Sequence, residues 1–129
     1  MNKITTLDNG LRIVTQLMPG LETVSMGIWN FVGGRDEAEN VNGVAHLLEH
    51  MAFKGTSTRT ALQIAETIEN VGGDINAYTS KEITAYYVKL IAGDLSLGID
   101  ILTDILQNSS FTEDELNRER GVVLQEIGM

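Results

Sequence analysis

Along the first thirty residues apolar and polar positions alternate, and further on they recur at three- and four-residue spacing. That change of period predicts strands first, then helices mixed with further strands. Lys3 to Leu7 and Leu11 to Leu17 flank Asn9-Gly10, a pair that accepts the positive φ of a tight turn, so the segment is expected to be a hairpin. Pro19-Gly20 marks a second turn. From Thr23 to Val32, Val24, Met26 and Ile28 alternate with Ser25, Gly27 and Trp29, the period of a strand with unlike faces.

The stretch Gly33-Gly34-Arg35-Asp36-Glu37 interrupts that strand, and a helix is expected to start at Asn42 or Gly43 and run to about Phe53. A second helix is predicted over Ala61 to Asn70, with Ile64, Ala65 and Ile68 on one side and Gly72-Gly73 as its stop. Ile75 to Ser80 and Ile83 to Ile91 are rich in Thr, Tyr, Ile and Val, which favours two more strands. Leu95, Ile99, Leu102 and Leu106 restore helical spacing over Asp94 to Leu106. Thr112 with Glu115 has the form of a capping box, opening a last helix that runs to about Ile127. The predicted whole is one α+β domain, its helices packed on one mostly antiparallel sheet.

Composition narrows the function classes. With 18 Asp and Glu against 9 Lys and Arg, the net charge of −9 opposes binding to nucleic acid or to an anionic membrane surface. The acidity fits either a solvated surface or a cavity for basic ligands, and composition does not separate them. There is no cysteine, hence no disulfide, no thiolate nucleophile and no Cys-based metal site. No apolar run approaches a membrane span and the first residues lack a signal-like pattern, so the expected location is the cytoplasm.

The chain's two histidines both fall in His46-Leu47-Leu48-Glu49-His50, inside a predicted helix. Residues three and four apart share a helix face, so the three polar side chains can address one small volume. Two neutral imidazoles suit Zn²⁺, and a catalytic zinc takes three protein ligands and leaves a fourth position open, so a third ligand must come from elsewhere. The plainer reading, polar residues on a wet helix face, explains a lone His-Glu pair better than it explains this five-residue pattern.

Asn42-Gly43-Val44-Ala45-His46-Leu47-Leu48-Glu49-His50-Met51-Ala52-Phe53-Lys54-Gly55-Thr56 resembles the metal-site helix of the inverted zincins. More narrowly, it resembles the pitrilysin family, and within that family the β subunit of the mitochondrial processing peptidase and its bacterial relatives. The likeness extends to Gly33 to Glu37, to Gly73-Asp74-Ile75-Asn76-Ala77-Tyr78-Thr79-Ser80 and to Glu119-Arg120-Gly121-Val122-Val123-Leu124-Gln125-Glu126. It implies a zinc endopeptidase acting on extended peptides: His46 and His50 as ligands, Glu126 as the distal third ligand, Glu49 as the general base that activates water. It implies an outer-shell role for Glu119, seven residues before Glu126 and so on nearly the same helix face. Asn76, Ala77 and Tyr78 match an edge strand onto which substrate is added, and Phe53 a hydrophobic pocket for the residue after the cleaved bond. Without the resemblance, Asn76 reads as a turn residue and Tyr78 and Phe53 as packing.

Members of that family are longer chains of two related halves. The resemblance therefore implies that residues 1–129 form a partial N-terminal zinc-binding domain, without the second half and the domain's final strands and helices. A sheet cut short exposes an edge and an apolar face, so self-association, or pairing with a second family subunit, is expected. Two further readings remain open at this level: a non-catalytic peptide-binding or structural subunit, or a fragment inactive by itself, and a metal-binding regulatory or storage module.

Overall fold

The computed structural model describes residues 2–127 other than 32, 34, 36 and 42. The expected end of the third strand at Val32, the helix start at Asn42, and Gly34 and Asp36 of the break lie outside the described residues. Five strands and four α-helices follow in the order β1 (Asn2–Thr6), β2 (Arg12–Gln16), β3 (Thr23–Asn30), α1 (Val44–Ala52), α2 (Ala61–Glu69), β4 (Asp74–Thr79), β5 (Thr84–Ile91), α3 (Leu95–Asn108) and α4 (Glu113–Ile127). The α+β class and each predicted element are present. Among the described residues no helix is long and apolar enough to cross a membrane.

The strands form two sheets where the sequence predicts one. Among the described residues β1 and β2 pair only with each other, and a separate antiparallel sheet has the order β3-β5-β4. The register explains the separation. Ile4 lies opposite Val14 while Ile13 lies opposite Thr5, so the hairpin's apolar residues are split between its faces and neither face offers a continuous stripe to bury. Its loop is also longer than a two-residue turn. Leu7 N–H donates to Leu11 O (2.8 Å) and Gly10 N–H to Leu7 O (2.9 Å), and of the Asn9-Gly10 pair only Gly10 has a positive φ, 91°. This is the three-residue hairpin loop closed by a glycine bulge.

The second sheet concentrates its apolar residues on one face. Val24, Met26 and Ile28 of β3 sit beside Leu90, Val88 and Tyr86 of β5, which in turn sit beside Ile75 and Ala77 of β4. Ile64 and Ile68 of α2, Ala52 of α1, and Ile101, Leu102 and Ile105 of α3 close over that face to form the core. Gly98 allows α3 to approach, because a Cβ there would lie 2.9 Å from Leu90 Cδ1 and 3.1 Å from Val88 Cγ1. α1 lies between β4 on one side and α4 on the other.

The connection from α1 to α2 is tied down by Asp104 of α3, which is 6% exposed. Its carboxylate accepts from Thr56 Oγ1 (2.7 Å), Arg59 Nη1 (2.9 Å) and Asn108 Nδ2 (2.9 Å). Burial alone would raise its pKa, but these bonds, with one from Thr58, outweigh it and hold the group at about 2 against an ordinary 3.8. Because the folded value lies below the unfolded one, the stabilisation is fully present above about pH 4 and is lost as pH falls toward 2; it amounts to about 2 kcal/mol. Urea denaturation of the wild type and Asp104→Asn should therefore show the variant less stable by about that amount near pH 6, the gap closing as pH approaches 2. A gap independent of pH would contradict this account.

Candidate metal centre and active site

The site is built on two helices that face each other. Gly43 is the N-cap of α1, with no side-chain cap of its own. Glu37 supplies one from the preceding loop, its two carboxylate oxygens accepting from Gly43 N–H (2.9 Å) and Ala45 N–H (2.6 Å). An acid at that end satisfies otherwise unpaired amides and opposes the helix dipole. Within α1, Ala45, Glu49 and Ala52 recur at four- and three-residue spacing on the side of β4, whereas His46 and His50 turn toward α4. On α4, Glu119, Val123 and Glu126 recur at spacings of four and three, and Glu119 and Val123 are its buried residues. The reciprocal bonds of the expected capping box of α4 are not found among the described residues: Glu115 accepts from Arg118 Nη1 (2.7 Å) within the helix, and its other oxygen has no partner there. The reciprocal pair is found instead at the start of α2, between Thr60 and Gln63.

This arrangement brings His46, His50 and Glu126 together. His50 Nε2 lies 3.2 Å from His46 Nε2 and 3.2 Å from Glu126 Oε2, and His46 Nε2 lies 3.0 Å from the same oxygen. Ligand atoms about 2.0–2.1 Å from a tetrahedral zinc are about 3.3 Å apart, so the three separations match that geometry within a few tenths of an ångström. Two imidazole nitrogens and one carboxylate oxygen are a donor set that zinc accepts. With Glu126 at 45% side-chain exposure, the cluster is open to solvent on one side.

Glu119 is placed behind His50. Its Oε2 lies 3.1 Å from His50 Nδ1 and its Oε1 lies 2.7 Å from Lys54 Nζ, while its side chain is only 6% exposed. Burial pushes its pKa up, but the bond and charge of Lys54, and then His50, prevail, so the carboxyl is held below its ordinary value. A carboxylate at Nδ1 favours the tautomer that leaves the Nε2 lone pair facing His46 and Glu126.

Glu49 is not one of the three clustered groups; its Oε2 accepts from Thr79 Oγ1 of β4 (2.5 Å). Tyr86 is 1% exposed and its hydroxyl has no partner among the described residues. Burial, then the charge of Glu49, push its pKa up to about 12, so it remains protonated at any physiological pH. Of the residues matched to substrate binding, Phe53 and Asn76 line one cavity of about 200 Å³, with Ala61, Ile64, Ala65 and Ile75. Ala77 is buried toward the helices and Tyr78 lies on the open face of the sheet beside Tyr87, ring centroids 6.1 Å apart. Asn76 Oδ1 accepts from Ala77 N–H (2.8 Å).

Lys54, Thr79 and Glu37 carry contacts to which the sequence reading assigns no role. Lys54 was within reach of it: four residues after His50, it continues the His46-His50 spacing. Thr79 alternates with Ala77 and so shares the face turned to α1. Glu37 shows only as one acid in a charged break.

Residues 12–129 match the profile of Insulinase (peptidase family M16). The chain is 48% identical over 97% of its length to a probable mitochondrial-processing peptidase β subunit of Arabidopsis thaliana, of which it covers 24%. It is 45% identical over its full length to an uncharacterized zinc protease of Bacillus subtilis, covering 32% of that protein. A protease from Helicobacter pylori superimposes on 98% of the chain with a TM-score of 0.91 at 31% identity, the match covering 30% of that structure. The chain thus spans about a quarter to a third of the length of these relatives.

Glu37→Ala should destabilise the protein by about 1–2 kcal/mol and loosen α1 first. Hydrogen exchange at the amides of Leu47 to His50 should then accelerate more than at those of α3; equal acceleration in both helices would argue against a capping role.

Proposed function

This chain belongs to peptidase family M16, and from that premise we propose that it is the zinc-binding part of a metalloendopeptidase that hydrolyses extended peptides. The observation that carries the reading is the convergence of His46 Nε2, His50 Nε2 and Glu126 Oε2 within 3.0–3.2 Å of one another. His46, His50 and Glu126 would hold Zn²⁺, which, when bound, acts as a Lewis acid toward the scissile carbonyl and makes water more acidic. Glu49, a neighbour of the ligands in the sequence rather than one of them, would take the proton of the attacking water, and Thr79 donates to one of its oxygens. Glu119 orients His50.

The substrate-binding reading has support of a different kind. β4 is an edge strand of its sheet, and an extended peptide can add alongside it through main-chain hydrogen bonds. Phe53 and Asn76 border the same cavity, beside that edge and one turn beyond His50, where an apolar side chain of the substrate would fit. Ala77 would contribute through the strand's main chain, with Tyr78 beside it on the same strand. A non-catalytic peptide-binding subunit is the competing reading, and the complete set of His46, Glu49, His50 and Glu126 weighs against it.

In the full-length protein Glu49→Gln should retain stoichiometric zinc and lose about 10²- to 10⁴-fold in peptide cleavage. His50→Ala should lose the metal. Full activity in Glu49→Gln would remove the assigned base, and a wild-type protein without zinc would end the peptidase reading.

We further propose that the 129-residue chain associates with itself or with a second family subunit. Trp29, Tyr78 and Tyr87 remain accessible on the uncovered side of the sheet, and β3 and β4 are both edges. Light scattering on the 129-residue chain should give a dimer or larger species; a monomer throughout the micromolar range would refute self-association.

A further inference from the structure

We infer that Lys54 is a positioning residue of the metal centre, acting through Glu119 to set the orientation of His50; the inference rests on the metal reading above. Three observations meet at this lysine. Its backbone is tied to the end of α1, Lys54 N–H donating to Met51 O (3.1 Å), so the side chain leaves from a fixed point one turn past His50. Its ammonium takes one oxygen of Glu119 and leaves the other to His50 Nδ1. The carboxylate between them is 6% exposed, while Lys54 retains 35% of its side-chain exposure.

The chemistry follows from how a carboxylate rotates. Terminal torsions of Glu are broad, so one contact leaves the plane of the group free. Two contacts, one to each oxygen and from different directions, fix that plane. Oε2 is then aimed at Nδ1, the imidazole is held by its back edge, and Nε2 stays directed at His46 and Glu126. Without the lysine, Oε1 is an unpaired anionic atom in a buried place, and the carboxylate must turn away to find water or settle for a poorer bond to His50. Among the described residues Arg118 is engaged by Glu115 on the same helix, and no second ammonium or guanidinium pairs with Glu119.

The test measures zinc affinity of the full-length protein by competition with a chromophoric chelator, so the readout does not depend on turnover. Lys54→Met, which keeps the apolar stem, should weaken zinc binding about ten- to a hundredfold, as loss of an outer-shell partner does. Lys54→Arg, which keeps a cation within reach of Oε1, should recover most of it. The double variant Lys54→Met/Glu119→Gln should bind no more weakly than Glu119→Gln alone, because both substitutions break one relay. In the Co²⁺-substituted proteins the d–d absorption, which reports coordination geometry, should change in Lys54→Met and return toward the wild-type spectrum in Lys54→Arg. Wild-type affinity in Lys54→Met beside a weakened Glu119→Gln overturns the role of Lys54 and leaves the metal reading standing. Failure of the unsubstituted protein to bind zinc overturns the metal reading, and this one with it.

Discussion

A carboxylate with 6% of its surface exposed has to find a partner for each oxygen, or it forces apart the elements that bury it. Glu119 is in that position between α1 and α4. Its two partners, Lys54 and His50, both belong to the neighbourhood of α1, so the requirement to satisfy one buried charge also sets how the two helices meet. Once Glu119 is placed, helical geometry places the rest. Glu126 comes two turns later on the same face of α4, and His46 one turn earlier on the same face of α1.

The opposite side of α1 is set by the sheet. β5 is the central strand, and its alternation turns Tyr86, Val88 and Leu90 to the helices. The same register turns Ala77 and Thr79 of β4 toward α1. The small Ala77 admits the helix, and Thr79 meets Glu49. Glu49 is therefore held by the sheet while the histidines are held by α4. One nine-residue helix thus presents its carboxylate and its imidazoles to different supports.

Much of this could be read in the chain. Five strands and four helices follow from period and turn residues, and His46, Glu49 and His50 stand out because spacings of three and four put them on a common side of a helix. The sequence reading missed where side chains from distant segments compete for a partner. Thr112 and Glu115 carry the letters of a capping box, yet Glu115 pairs with Arg118, and Thr60 with Gln63 makes the box instead. The hairpin counts as two more strands by its alternation, but only the register reveals that Ile4 and Val14 lie on one face of the ribbon and Ile13 on the other, which leaves it outside the main sheet.

What the amino-acid order determined by itself was therefore periodic and local: the elements, their turns, and the spacing of His46, Glu49 and His50 along one helix, though not that Glu49 would face β4 and the histidines α4. Glu119 and Glu126 were visible as a pair on one helix face, but spacing within a helix says nothing about which other helix that face will meet. Only the tertiary structure decided that α4 lies against α1, that Lys54 and His50 share Glu119, and that Thr79 takes Glu49 rather than solvent. These are contacts between residues thirty to eighty positions apart, and they exist because burial removes the water each group would otherwise choose as its partner.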